Sequence, residues 1–219
     1  MKRTDVALDS MKVSTAVLIA LVLISNCQQQ RADFFPLIPN AVRVMKFYGY
    51  KIVGKDTTTV NEIRVSEVVR GLKAVPKLGK VWVVESPLDS GRVTVYYYDR
   101  RGDSIFKIVP GRGGRPERIL YLLLPLEVGE KWYDSEAKRE VTEVVAIDSV
   151  DVPAGRFENC YKLQTKSNRV NFQQTLWLLP GLGAVKREKI QRGMRGDTMV
   201  ELFQREELVE YRVVKKSRQ

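Results

Sequence analysis

The chain has 219 residues, of which 44% are hydrophobic and 29% charged, with a formal net charge of +11. That length suits one ordinary domain, and the balance excludes wholesale disorder and collagen-like structure. Histidine is absent, which removes Ser-His-Asp and Cys-His catalysis and every His-ligated metal site. Two cysteines, Cys27 and Cys160, are too few for a thiolate zinc site or a disulfide-built scaffold. No cofactor and no metal are expected.

The first segment reads as an address. Residues 16–24, AVLIALVLI, form an unbroken apolar run. It is well short of the roughly 20 apolar residues of a spanning helix and has the length of a signal-peptide core. Lys2, Arg3 and Lys12 precede it, but so do Asp5 and Asp9, which suit such a leader poorly. Met11 is therefore an alternative start. The following Ile24-Ser25-Asn26-Cys27 resembles the lipobox of bacterial lipoproteins, with Asn26 where that box favours Gly, Ala or Ser. The resemblance implies acylation of Cys27 and cleavage before it, making residues 1–26 a signal peptide and 27–39 a lipidated cysteine with its tether. It further implies a cell-envelope protein anchored in a membrane by that lipid. By the same resemblance, Gln28 after the cysteine implies the outer membrane, with the protein facing the periplasm. A cleaved secretory signal (a soluble periplasmic or secreted protein) and an uncleaved anchor are the alternatives. Export follows in each case.

Removing residues 1–26 takes away Lys2, Arg3 and Lys12 with Asp5 and Asp9, and leaves +10. Such a surface attracts anionic lipid or acidic envelope glycan, and equally fits a face of ion pairs. Nucleic acid is not expected as a partner, and no protein partner is indicated. Cys160, in FENCYKL, reads as a small buried hydrophobe. Its pairing with Cys27 would require the lipobox reading to fail.

From residue 40 the pattern is period-two and β-rich, in the residues that fit a pleated, half-buried surface. The runs are Val42–Val53, Val60–Val69, Val81–Glu85, Arg92–Tyr98, Ser104–Val109 and Arg118–Leu124. They continue as Val141–Val152, Asn159–Thr165, Phe172–Leu179, Ala184–Ile190, Met199–Gln204 and Leu208–Val214. Turn chemistry separates them at Arg101-Gly102, Pro110-Gly111, Pro153-Ala154-Gly155, Pro180-Gly181 and Arg195-Gly196. About twelve closely spaced strands without intervening helices predict a mainly β fold. The sheet should be antiparallel and strongly curved, a half-barrel or barrel spanning 40–214 as one domain. Helix, if there is any, is expected over Asp134–Glu143, and 215–219 form a charged tail.

Four boxes punctuate the chain. They are Phe35-Pro36-Leu37; Pro125-Leu126-Glu127-Val128-Gly129 with Trp132; Val152-Pro153-Ala154-Gly155 with Phe157 and Cys160; and Trp177 with Pro180-Gly181, Gly183 and Val185-Lys186. In order and spacing they resemble an uncharacterised family of bacterial secreted proteins and lipoproteins. That resemblance implies an envelope-facing β-rich domain, related to the half-barrel of lipoprotein carriers, and no particular reaction. By their turn chemistry alone the boxes read as fold determinants rather than sites.

The candidate chemistry is sparse. Gly111-Arg112-Gly113-Gly114-Arg115 lacks the Gly-Lys-Ser/Thr ending of a phosphate-binding loop and reads as a basic hairpin turn. Glu127, Glu130, Asp134, Glu136, Glu140, Asp148 and Asp151 are interleaved with basic residues and read as a solvated face, not as a glycosidase pair. No nucleophile–base pair is visible, so a non-catalytic structural or binding role is expected, ahead of a hydrolase. Tyr96 and Tyr98 fall on one side of their strand. With Trp132 and Trp177 they are the candidate ligand-contacting residues. A carrier of a lipid or lipoprotein acyl chain is the alternative function, and it would need an unfilled apolar interior.

Overall fold

β-branched and aromatic residues at every second position make strands, and here they make little else. The computed structural model describes residues 34–35, 37–87, 92–167 and 170–214. The first six strands are β1 (Ala41–Val53), β2 (Asp56–Val75), β3 (Gly79–Pro87), β4 (Val93–Arg101), β5 (Ser104–Pro110) and β6 (Pro116–Leu123). The second six are β7 (Lys131–Tyr133), β8 (Glu140–Val152), β9 (Gly155–Ser167), β10 (Asn171–Leu179), β11 (Gly183–Arg195) and β12 (Thr198–Val213). A single 3-10 turn, Arg112–Gly114, fills the β5–β6 hairpin.

All twelve strands belong to one sheet, in the order β6-β5-β4-β3-β2-β1-β12-β11-β10-β9-β8-β7. Every pairing is antiparallel. The accumulated twist curls the sheet into a nearly closed barrel. Its two edges meet where the Leu120 N–H of β6 donates to the carbonyl of Asp134, just past β7, at 2.7 Å. Arg139 ties the same seam, pairing with Glu117 on one side and with Asp134 on the other. A barrel of about eight strands is filled by its own side chains; this one is wide enough to leave space.

The expected twelve runs and the twelve strands agree in number but not one for one. Met199–Gln204 and Leu208–Val214 are a single strand, β12, and the short β7 was not anticipated. The helix expected over Asp134–Glu143 is absent. Asp134 instead captures the Glu140 N–H with its carboxylate at 3.1 Å and sends its own N–H to the Glu140 carbonyl, also at 3.1 Å. That closes the β7–β8 connection as a turn.

One end of the barrel is plugged. Phe34, Phe35 and Leu37, drawn above as the end of a tether, are buried in the main core. The core thus reaches back from residue 40, where the domain was expected to begin, to Phe34. Phe34 meets the Tyr161 ring edge-on at 4.6 Å, and Phe35 lies 4.7 Å from Tyr98 and 5.6 Å from Tyr121. Leu124, Leu126 and Trp132 join the same cluster, so the first two sequence boxes meet here. Burying one such aromatic ring contributes about 2–3 kcal/mol.

The other two boxes meet in a second cluster. Val150, Cys160, Trp177, Val185 and Leu208 are buried together, with Phe157 against them. The β8–β9 tip folds across to β12, where the Ala154 N–H donates to the Leu208 carbonyl at 3.0 Å. Strand alternation puts Trp177 opposite Leu176 and Leu178, which face the main core. Lys162 and Lys186 flank the Trp177 ring at 5.5 and 5.1 Å. Close strand approach explains one glycine: a Cβ on Gly49 would collide with the Phe203 carbonyl oxygen.

Candidate ligand cavity

Above the aromatic plug the barrel is not filled. A cavity of about 310 Å³ opens toward the end that carries the β1–β2, β3–β4 and β11–β12 hairpins. That is the scale on which proteins hold small molecules. The alternation of each strand decides what enters it. β2 presents Ile63, Val65 and Glu67; β4 presents Thr94, Tyr96 and Tyr98; β11 presents Arg187 and Lys189. Met45 and Phe47 come from β1, Lys107 from β5, Tyr121 from β6 and Glu206 from β12.

These residues stack in layers along the barrel. Phe35, Tyr98 and Tyr121 form the floor. A charged layer lies on it: Arg43 pairs with Glu67 at 2.9 Å, and Arg187 pairs with Glu206 at 2.6 Å. Lys189 approaches the other oxygen of Glu206 at 3.7 Å. Lys107 lies 4.9 Å from the centroid of the Tyr96 ring, and no carboxylate among the described residues is within ion-pair distance of it. Phe47, Val65 and Ile63 carry the wall on toward the mouth, with Ile63 42% exposed.

Electrostatics follow from this crowding. Burial pushes the Lys107 pKa below its ordinary value, and Arg187 and Lys189 push it the same way. Lys189 is lowered by burial and by Arg187. Burial also works against charge on Arg187, but Tyr121, Glu206 and Glu67 more than offset it, so the guanidinium stays charged. The Tyr98 hydroxyl is raised by burial and stays protonated.

A smaller cavity of about 150 Å³ adjoins the seam and shares Lys107, Tyr121 and Gln174 with the first. Glu140, on its wall, has its carboxyl raised by burial and then by Asp134. Of the other acidic residues named above, Asp148 pairs with Lys162 at 3.4 Å and Asp151 with Arg156 at 3.5 Å.

The sequence candidates divide. Tyr96 and Tyr98 both line the cavity, whereas Trp132 lies in the main core and Trp177 in the outer cluster. Trp82 packs against the main core, so the three tryptophans do not share one cluster. Cys27, the acylation candidate, and residues 1–26 and 215–219 lie outside the described residues. The sequence reading missed Arg43, Glu67, Lys107, Arg187, Lys189 and Glu206. A signal was there: Lys107 has the parity of buried Ile105, and Glu67 that of Val65 and buried Val69. A charge in step with a strand's apolar positions faces inward.

No protein-family model matches the chain, and no curated protein matches it. Among solved structures, the chain is similar to a Bacteroides fragilis protein assigned as exported and as having a YmcC-like fold. The identity there is 15% and the TM-score 0.46, covering 83% of this chain and 99% of that one. It is also similar to a protein of Parabacteroides distasonis assigned as a lipoprotein, at 17% identity and a TM-score of 0.46, covering 84% of this chain and all of the other.

Proposed function

We propose that this is an exported protein, held at the cell envelope by acyl chains on Cys27, which binds a small molecule inside its barrel. The unfilled cavity above the Phe35–Tyr98–Tyr121 floor carries the binding part. A protein that needed only a stable wall would fill that volume, because close packing is the rule in protein interiors. The apolar run 16–24 followed by Cys27 supports the anchoring part, and acyl chains on that residue suffice for stable attachment. Gln28 favours the outer membrane, facing the periplasm. The role is binding rather than catalysis: the cavity holds cations and tyrosines, with no nucleophile placed beside a base. It is also not lined as a carrier of long acyl chains would be, because the charged layer interrupts the apolar wall.

Native and denaturing masses of the full chain from a membrane fraction test both parts, beside a Cys27→Ser variant. The expected result is a chain beginning at Cys27 with acyl chains, lost in the variant, and in both a further mass released on denaturation. An unmodified wild-type chain overturns the anchoring. The absence of any released mass counts against the binding.

A further inference from the structure

The charges inside the cavity do not balance. Two carboxylates face it, Glu67 and Glu206, and both are taken: Glu67 by Arg43, Glu206 by Arg187 with Lys189 beside it. Lys107 is left over, with the face of Tyr96 as its nearest compensation. Counting Arg43, Lys107, Arg187 and Lys189 against Glu67 and Glu206, the layer carries two cations in excess. Holding such an excess away from bulk water is unfavourable. The depressed pKa values of Lys107 and Lys189 are the sign of that cost. A cation–π contact offsets only part of it. Directly above the excess, on the mouth side, the wall turns apolar at Phe47, Val65 and Ile63.

We infer that the ligand is an anionic amphiphile: a carboxylate or phosphate head that sits between Lys107, Lys189 and Arg187, with an apolar group against Phe47, Val65 and Ile63. This rests on the binding function proposed above and adds the ligand's chemical class. The head supplies the counter-charge that Glu67 and Glu206 do not. The apolar part covers the stretch of wall that Phe47, Val65 and Ile63 form. A cation is disfavoured by the excess charge, and a neutral amphiphile leaves Lys107 without a partner.

Calorimetric titration of the full-length Cys27→Ser chain, which avoids an acyl chain of its own, tests the assignment with four probes. Octanoate and octyl phosphate should bind one to one, and whichever binds more tightly identifies the head. Octanol and octylammonium should bind at least about tenfold more weakly, the loss expected when a charge-assisted contact goes unmade. Lys107→Met should weaken octanoate by about tenfold, and Lys189→Met should weaken it as well. Lys162→Met, on the outer face beside Trp177, should leave it unchanged. Equal binding of octanol and octanoate, or octanoate binding untouched by Lys107→Met in a folded chain, overturns the anionic class while leaving the barrel a binding site. Failure of every probe on a chain that does carry a releasable mass from the membrane fraction also overturns the class alone. Failure of every probe with no such mass removes the binding function itself.

Discussion

Lys107 on β5 and Tyr96 on β4 sit on the same face of adjacent strands, the ammonium 4.9 Å from the ring centroid. The contact holds a cation inside the barrel with no carboxylate of its own. Burial and the charges of the cavity then decide how that cation titrates: Arg187 and Lys189 from β11 lower it further, while Glu67 from β2 and Glu206 from β12 raise it. Asp134 and Glu140 line the smaller adjoining cavity, which Lys107 also borders.

The first prediction concerns stability and pH. The folded-state pKa of Lys107 lies below the unfolded value of 10.5, chiefly through burial. Between those two values the unfolded chain binds more protons, so stability rises with pH across that window. Below it the destabilisation is fully present. Lys107→Met should therefore be more stable than wild type at neutral pH, by about 1 kcal/mol, with the difference shrinking toward pH 10. Urea midpoints at several pH values measure this. A variant less stable than wild type at neutral pH would mean that Lys107 holds the wall together.

A second prediction concerns the plug. Phe35 is buried between Tyr98 and Tyr121 and forms the floor of the cavity. Phe35→Ala should lose about 3–5 kcal/mol, the usual range for emptying an aromatic site in a core. It should also join the cavity to the plugged end, admitting a larger apolar dye. A loss of under about 1 kcal/mol would show that the segment before β1 is not part of the cooperative unit.

Most of the fold was legible because strand alternation is a local signal. The runs Val42–Val53 and Phe172–Leu179 become β1 and β10 nearly residue for residue. β12 was split because Arg205-Glu206-Glu207 interrupts its apolar alternation. Two of those charges sit in an outer ladder, with Arg205 on Glu188 at 2.8 Å and Glu207 near Lys186 at 3.9 Å. The third, Glu206, faces the cavity. The same charges that hid the strand thus contain part of the site. Tyr96 and Tyr98 were found because aromatics draw notice, and Lys107 was missed because a lone lysine in a strand is usually solvated. Which side of a strand is inside depends on closure of the sheet, and closure joins Leu120 in β6 to Asp134 just past β7, the two edges of the sheet.

Cys160 offers a third test. Its side chain is fully buried against the Trp177 cluster, and burial, with help from Glu158 and Asp148, pushes the thiol up to about 11. At pH 8 almost none of it is thiolate, the form that reacts. Iodoacetamide should leave Cys160 unlabelled in the folded chain and label it readily in urea. Labelling of the native chain at the rate of a free thiol would show that the β8–β9 tip, held by Ala154 on Leu208, opens readily.

The paired charges predict an asymmetry. Glu206 serves two cations, Arg187 at 2.6 Å and Lys189 at 3.7 Å, so Glu206→Gln leaves both without a carboxylate. Arg187→Met leaves Glu206 with Lys189 still in reach. Stranding a buried charge is more costly than losing a pair whose remaining member finds another partner. Glu206→Gln should therefore cost about 3 kcal/mol, and Arg187→Met about 1 kcal/mol less than that. The double variant should be closer to wild type than Glu206→Gln alone, because removing the guanidinium relieves the excess of positive charge. Urea unfolding of the three variants at neutral pH makes a cycle that reads the coupling directly. If Arg187→Met proves the more damaging single change, then Lys189 does not take up Glu206, and the packing of the Arg187 side chain matters more than its charge.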